Sequence, residues 1–424
     1  MTSIHFPHSF TTNRSSRFSA SSIDQDPVLA NGTDSTADFI ADVPPLAPSL
    51  TNRWSFVGFI TWVIFGTFSA GEWLFGLASM MMGLAILAAI PILQFLTLGY
   101  MLETAGRMVR TGKFSSGFIG IRFAARAGGI VACSWLMLLP LRYLSDVAFT
   151  ASVIDPEGRR AASLRLLVLV LTYLLGFHLV MAIARGGKIR YFLWPFNFVW
   201  VIKQIYRGNA YARARDATWE RLVSLRLPYY FWLGLRGFAG TLFWLIFPVT
   251  LLALGHAPTP IAPIFGIIGA IWLGVMVLYL PILQTRFAAE NRFRALFEWR
   301  EARLVYGRAP WAISFALMLS LLFAIPLYLF KIEVLPAEAL WLPSLFFILF
   351  IFPARYLMGF AISLAYKRPQ KRHWFFRWSG RLPLLPAALF YVLFVFLSQY
   401  TSWNGIVSMY EQHAFLLPVP FSGN

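Results

Sequence analysis

Cysteine and histidine are scarce in this sequence, which has one cysteine, Cys133, and six histidines among 424 residues. A single cysteine can form neither an internal disulfide nor a thiolate metal cluster. The histidines are too dispersed along the chain to build a set of metal ligands. We therefore expect no disulfide framework, no metal site and no cofactor.

The usual catalytic motifs are also missing. The chain contains no HExxH metal-binding pair, no GxSxG nucleophile elbow, no Walker A loop and no glycine-rich fingerprint after a strand. No module that reads nucleic-acid bases is present either. These absences favour a protein that is not an enzyme and that has no nucleic-acid partner.

Charge is low and mostly of one sign. Charged residues make up 13% of the chain, and 36 lysines and arginines outnumber 18 acidic residues, which gives a net charge of +18. Hydrophobic residues make up 58%, and the mean hydropathy is +0.65. A chain this apolar is unlike a soluble globular protein. The composition indicates an all-α, polytopic transmembrane helix bundle.

Long apolar runs recur through the chain, and each is long enough to cross about 30 Å of hydrocarbon. The first run, residues 54–102, is too long for one crossing, and the sequence Gly-Glu-Trp at 71–73 predicts a break within it. Nine spans are predicted in all: 54–70, 75–102, 128–151, 161–183, 229–254, 262–284, 310–330, 340–366 and 383–403.

The basic residues are concentrated in four segments, which follow the second, fourth, sixth and eighth predicted spans and hold 26 of the 36 lysines and arginines. The last three are the predicted cytoplasmic basic segments 184–227, 285–309 and 367–381. By the positive-inside rule, we expect a cytoplasmic N-terminus, an external C-terminus and residence in the cytoplasmic (inner) membrane.

The chain divides into three parts on this interpretation. Residues 1–50 are rich in Ser, Thr, Asp and Pro, and they are predicted to be a disordered tail without a signal peptide. Residues 54–403 form the transmembrane helical domain, and residues 404–424 form a short external tail. The apolar stretch 191–202 has twelve residues, too few to span, and is predicted to lie at the interface.

Two cytoplasmic stretches have an amphipathic pattern at helical spacing. The stripe within residues 286–308 consists of Phe293, Leu296, Phe297 and Leu304. The other consists of Phe198, Ile202, Ile205 and Tyr206. We expect the helix at 286–308 either to lie on the inner leaflet or to pack as a connector beneath the bundle.

Anionic lipid is the natural partner of basic, aromatic-rich helices at a membrane surface. The candidate lipid-facing basic residues are Arg292, Arg294, Arg300, Lys371 and Arg372. For segment 367–381 the alternative is an ordinary loop whose basic residues only determine topology.

Four ionisable residues fall inside or beside predicted spans, where charge is costly. Arg142 and Asp146 stand four residues apart on one helical face, close enough to neutralise one another. Arg355 has no counter-ion on its own helix, and Glu72 lies at the predicted break in the first run. The four residues either line a central cavity, with the carboxylates as gating or proton-coupled groups, or form structural ion pairs and snorkelling arginines.

The tetrapeptide PILQ occurs at 91–94 and again at 281–284. Pro91 is twelve residues before Glu103, or roughly 18 Å, whereas Pro281 is five residues before Arg286, or roughly 7 Å. Because copies of a duplicated unit would lie at similar depth, we interpret PILQ as a coincidence rather than a repeat.

Residues 90–114, IPILQFLTLGYMLETAGRMVRTGKF, resemble the hallmark segment of a family of prokaryotic multi-pass membrane proteins classified only as a domain of unknown function. In that family an apolar helix ends in GY(L)LE, and an arginine-containing helix and a glycine turn follow. The aromatic and arginine-rich stretch 286–310 is similar to a later segment of the family. The resemblance implies a polytopic fold and no known activity. This chain departs from the pattern in its long N-terminal tail and its basic insertion at 185–226.

Two functional hypotheses follow. In the first, the basic inner face engages anionic lipid or membrane protein partners. In the second, the chain is a permease for a small anion that uses Arg142 and Arg355 as cations and Asp146 as a coupling carboxylate. A lipid-modifying intramembrane enzyme is a more distant alternative.

Overall fold

The computed structural model describes residues 56–208, 215–216, 219–220, 223–329, 341–401 and 405–410. The tail predicted at 1–50 lies outside these residues, as does the predicted C-terminal tail apart from residues 405–410. The chain divides into two units, 1–63 and 64–424. The first is described only from Phe56, where the first helix begins, and the later helices belong to the second.

Every regular element in the described residues is a helix, so the all-α class is confirmed. The α-helices are α1 (Phe56–Ala89), α2 (Gln94–Thr111), α3 (Ile121–Ile154), α4 (Arg159–Ala184), α5 (Ile189–Leu193), α6 (Asn197–Tyr206), α7 (Leu227–Leu254), α8 (Ala262–Glu290), α9 (Trp299–Arg308), α10 (Pro310–Leu329), α11 (Trp341–Tyr366), α12 (Trp374–Arg381) and α13 (Leu384–Thr401). Short 3₁₀ helices cover Phe114–Gly117, Phe293–Phe297 and Gly405–Tyr410.

Seven stretches of helix in the described residues are long and apolar enough to cross a membrane, and an eighth results if the bent pair α9 and α10 counts as one span. The seven are Ser69–Ala89, Ile121–Ile154, Arg159–Ala184, Leu227–Leu254, Ala262–Glu290, Leu342–Tyr366 and Trp374–Tyr400. A set of this kind is what a multi-pass membrane protein contains.

The break predicted in the first apolar run is misplaced. Helix α1 continues through residues 71–73 and ends at Ala89, and the chain turns instead at Pro91 and Ile92, where Ile92 has a φ of 70°. Proline lacks the amide hydrogen a helix needs, whereas one glutamate does not end a helix. The Thr97 hydroxyl donates to the carbonyl oxygen of Leu84 at 3.1 Å, so α2 folds back along α1 as an antiparallel hairpin.

Helix α2 packs against α7, α8 and α11 and is mostly buried. Two glycines allow its backbone to touch that of α7. A Cβ atom on Gly99 would lie 1.8 Å from the carbonyl oxygen of Tyr230, and one on Gly234 would lie 1.9 Å from that of Phe95. No larger side chain fits at this crossing unless the helices separate.

The continuous amphipathic helix predicted at 286–308 is replaced by a folded connector. Helix α8 extends to Glu290, a 3₁₀ turn follows, and α9 then meets α10 at a bend of 112°. The connector buries Leu296, Ala302 and Val305 completely or nearly so. It therefore packs beneath the bundle, which was the second of the two predicted arrangements.

The apolar stretch 191–202 is divided between α5 and α6, which have five and ten residues. At 1.5 Å per residue, ten residues reach only about 15 Å, half of the hydrocarbon thickness. Each helix is thus too short to span, in agreement with the prediction that this stretch does not cross the membrane. Its interfacial position stays a prediction.

Candidate functional site

Arg355 lies inside the helix bundle, two residues after Pro353 in α11. The side chain is enclosed by the surrounding helices, and the surface that it retains faces a small cavity. A proline within a helix leaves the preceding turn without one backbone hydrogen bond, so α11 has a weak point next to this arginine.

One side chain in the described residues binds the guanidinium directly. Nη1 of Arg355 donates to Oε1 of Gln284 at 3.1 Å, and Nε2 of Gln284 donates to the Thr241 hydroxyl at 2.6 Å. That hydroxyl donates to the carbonyl oxygen of Gly237 at 2.7 Å. The chain of hydrogen bonds fixes the Gln284 amide with its oxygen towards the arginine.

None of the described residues neutralises the charge of Arg355. No carboxylate pairs with it in the part of the chain that the structure describes, and its Nε atom is buried without a hydrogen-bond partner. Guanidinium has five N–H donors, and a buried cation without a counter-ion is unfavourable. The arrangement therefore leaves donors and positive charge available to a ligand.

The cavity beside Arg355 lies between α8, α10 and α11. Its lining consists of Pro281, Gln284, Thr285, Ser320, Ile351, Ala354, Arg355 and Met358. The cavity volume is about 20 Å³, which is room for roughly one water molecule. In this conformation the cavity accepts a ligand no larger than a monatomic ion.

The other three candidate intramembrane residues lie elsewhere. Arg142 and Asp146 are on the exposed side of α3, and in the described residues no ion pair joins them. Glu72 lies on the exposed surface of α1. Of the four, only Arg355 lines the central cavity.

A second polar cluster lies where α8 joins the connector. Arg286 donates to Glu290 at 2.8 Å and to Glu298 at 2.9 Å, although only 4% of its side chain is exposed. We call these three residues the Arg286 clamp. The clamp holds the 3₁₀ turn against the end of α8.

A neighbouring network ties α2 to α7 and α8. Glu103 is buried and accepts hydrogen bonds from Arg110 and, at 2.8 Å, from the Tyr229 hydroxyl. Arg110 also donates to the carbonyl oxygen of Ala288 at 2.9 Å. Thus the glutamate of the GYMLE segment has a structural role where α2, α7 and α8 meet.

The candidate lipid-facing basic residues all lie on the surface, and α12 adds an aromatic face beside two of them. Arg292 is paired with Glu290, whereas Arg294, Arg300, Lys371 and Arg372 are exposed without an ion pair in the described residues. Next to the last two, α12 exposes Trp374, Phe375 and Trp378. The stripe predicted on α6, which runs from Phe198 to Tyr206, is also exposed.

Sequence reasoning did not identify Gln284, Thr285 or Ser320 as site residues. Gln284 belongs to the second PILQ copy, inside α8, whereas the first copy forms the turn between α1 and α2. No local pattern links Gln284 to Arg355, because the two are 71 residues apart.

Comparison with protein-family models finds no match, and comparisons with curated proteins and with solved structures find no similar chain. The resemblance of residues 90–114 to a family of unknown function therefore stays a prediction.

Proposed function

We propose that this chain is an integral membrane protein that binds a small inorganic anion at Arg355 and carries it across the membrane. The observation that supports this function is a buried guanidinium with no carboxylate partner among the described residues, an unused Nε donor and a cavity in front of it. An anion in the cavity would neutralise the charge of the arginine. Hydrogen bonds between the guanidinium and the anion would replace those that each group loses with water on burial.

The size of the cavity points to a monatomic anion such as chloride. A carboxylate or phosphate does not fit in a volume of about 20 Å³ unless the helices separate. Pro281 in α8 and Pro353 in α11 provide places for such a movement, because each proline weakens its helix beside a residue of the site. This version of the permease hypothesis keeps Arg355 and omits Arg142, Asp146 and Glu72.

Anion binding is tested by thermal unfolding of the purified full chain in detergent, in sodium chloride and in sodium gluconate. We expect chloride to raise the Tm of the wild type by several degrees, since a ligand at 100 times its Kd stabilises by about 2.7 kcal/mol. The Arg355→Gln variant should show no difference between the salts. Arg300→Gln, which removes an exposed arginine, serves as the matched control and should respond like the wild type.

Transport is tested with the same variants in liposomes by chloride efflux. The wild type and Arg300→Gln should release chloride, and Arg355→Gln should not. Retention of both the Tm response and the efflux by a folded Arg355→Gln variant would show that Arg355 is not the anion site.

We also propose nine crossings of the cytoplasmic membrane, with the N-terminus inside and the C-terminus outside. The ninth crossing is α2, whose polar side chains are enclosed by α7, α8 and α11 rather than by lipid. The α1–α2 hairpin returns the chain to the side of the membrane on which Ser69 begins the first crossing. The basic segments that follow therefore stay on the inner side, as the positive-inside rule requires.

Binding of anionic lipid by the inner face is a second candidate function. It is supported by α12, where exposed Trp374 and Trp378 follow directly after Lys371 and Arg372. Aromatic side chains at the headgroup level and adjacent cations favour an anionic membrane surface. Anionic vesicles should stabilise the wild type and Arg355→Gln equally, and they should stabilise a Lys371→Gln, Arg372→Gln variant less. Equal stabilisation of that variant would contradict this role.

A further inference from the structure

Within the part of the chain that the structure describes, most of helix α3 packs against α4 and the short helix α5. The first turns of α3 pack against α1, where Ile121 and Ala125 lie near Gly76. Beyond them, Ala148 is the one buried residue that the structure records in α3. The later two thirds of α3 therefore have a face that is left uncovered by the described residues and is available to lipid or to another protein.

That surface has the spacing of a coiled-coil seam. Six exposed residues follow one another at alternating intervals of four and three: Trp135, Leu139, Arg142, Asp146, Phe149 and Val153. Such an a/d pattern keeps its side chains on one line along a helix that packs against a second helix. The side of α3 that faces α4 and α5 includes Leu141, Leu144 and Ala148, and it borders the seam at Phe149, which is 70% exposed.

The middle of the seam carries charge that no described residue neutralises. Neither the guanidinium of Arg142 nor the carboxylate of Asp146 has an ion pair or hydrogen bond in the described residues. Both lie well inside a candidate span, Ile121–Ile154. An unpaired charge exposed to hydrocarbon has a strongly unfavourable free energy, so these two side chains require a polar partner.

A second copy of the chain would supply that partner. All copies insert in the same orientation, so two α3 helices related by a two-fold axis run parallel. Asp146 of the second copy then lies one helical turn further along the dimer axis than Arg142 of the first copy. This offset is about 6 Å, which is within reach of the long arginine side chain. The two-fold axis repeats the contact, so both charges on both copies are paired.

We infer that the chain forms a parallel homodimer through the α3 seam, with two symmetric ion pairs between Arg142 and Asp146. The polar pair sets the register of the two helices, as single polar residues do in coiled coils. Leu139, Phe149 and the outer positions pack around it. The dimer interface consists of α3 alone, and its formation does not depend on anion binding at Arg355.

Disulfide cross-linking in native membranes tests the seam directly. In a Cys133→Ser background, which removes the one native cysteine, Leu139→Cys places a thiol on the seam. Val147→Cys is the matched control, because its side chain is equally exposed at 37% against 36% but points about 100° away from Asp146. We expect a covalent dimer from Leu139→Cys and none from Val147→Cys. Equal cross-linking at both positions, or none at either, would overturn the seam.

Charge reversal tests the ion pairs and separates them from a general loss of folding. Arg142→Asp and Asp146→Arg, each made in the Leu139→Cys chain, place like charges at the seam and should each lower the dimer fraction about tenfold. The two variants expressed together restore opposite charges across the seam and should form the mixed dimer, detected with two different tags. If each variant is inserted but the mixed dimer does not form, Arg142 and Asp146 are not paired between copies.

Discussion

Arg355 and Gln284 stand on different helices, 71 residues apart, and meet through one hydrogen bond of 3.1 Å from Nη1 to Oε1. The amide oxygen orients the guanidinium but brings no negative charge. For this reason the pair acts as a fixed cation beside a cavity rather than as a closed ion pair, and its response to substitution is predictable.

Gln284→Glu should abolish the chloride response without loss of stability. The new carboxylate would take the position of the amide oxygen and pair with Arg355, so an anion would no longer be needed for neutralisation. We expect the Tm in gluconate to equal or exceed that of the wild type, and chloride to leave it unchanged. A chloride-dependent rise of wild-type size in this variant would place the anion elsewhere.

Arg286→Leu should destabilise the protein by about 3–5 kcal/mol, because two carboxylates lose the buried cation that they share. Part of the loss should return when Glu290→Gln and Glu298→Gln are added, since the remaining groups are then neutral. The control is Arg292→Leu, which removes an exposed partner of the same Glu290 and should cost less than about 1 kcal/mol. Denaturant-induced unfolding in detergent followed by tryptophan fluorescence measures all of these variants.

Gly234→Val should separate α2 from α7 and lower the Tm strongly. Its Cβ atom would collide with the backbone of Phe95, and overpacking of a tight contact costs about 1–3 kcal/mol or more. Gly83→Val in α1 is the control, because a Cβ atom there meets nothing within 4 Å. Equal Tm values for the two variants would mean that the α2–α7 contact does not hold the helices together.

The position of the first loop distinguishes the hairpin from the predicted break at 71–73. In the Cys133→Ser background, we expect Ile92→Cys to react with an impermeant maleimide added outside the cell. We expect Glu72→Cys to react only after the membrane is permeabilised so that the maleimide reaches the inner side. Labelling of Glu72→Cys from outside would instead support a loop at Gly-Glu-Trp and contradict the proposed crossing of Ser69–Ala89.

The architecture was largely predictable from composition and from the spacing of apolar runs. Helices α3, α4, α7, α8 and α11 lie close to predicted spans, because twenty apolar residues without charge have few other stable arrangements in water or lipid. The placement of Arg286 was not predictable. An arginine after an apolar run normally indicates the membrane surface, whereas here two glutamates allow it to be buried.

The site was predictable only in part. Arg355 could be singled out because a lone arginine in an apolar helix needs an explanation. Its separation from Arg142 and Asp146 could not be foreseen, since sequence gives the depth of a residue in a span but not the direction in which its side chain points within the bundle. Helix α3 stands apart from α11, and that arrangement depends on contacts between distant parts of the chain.

The Arg286 clamp and the Arg355 site differ in when they can form during synthesis. Arg286 meets its two glutamates across four and twelve residues, so the clamp can close as soon as this stretch has left the ribosome. Arg355 must find Gln284 across 71 residues, which include the whole of α10. A nascent chain that ends before α11 therefore has a finished connector with its buried Arg286, whereas its cavity still lacks the guanidinium of Arg355.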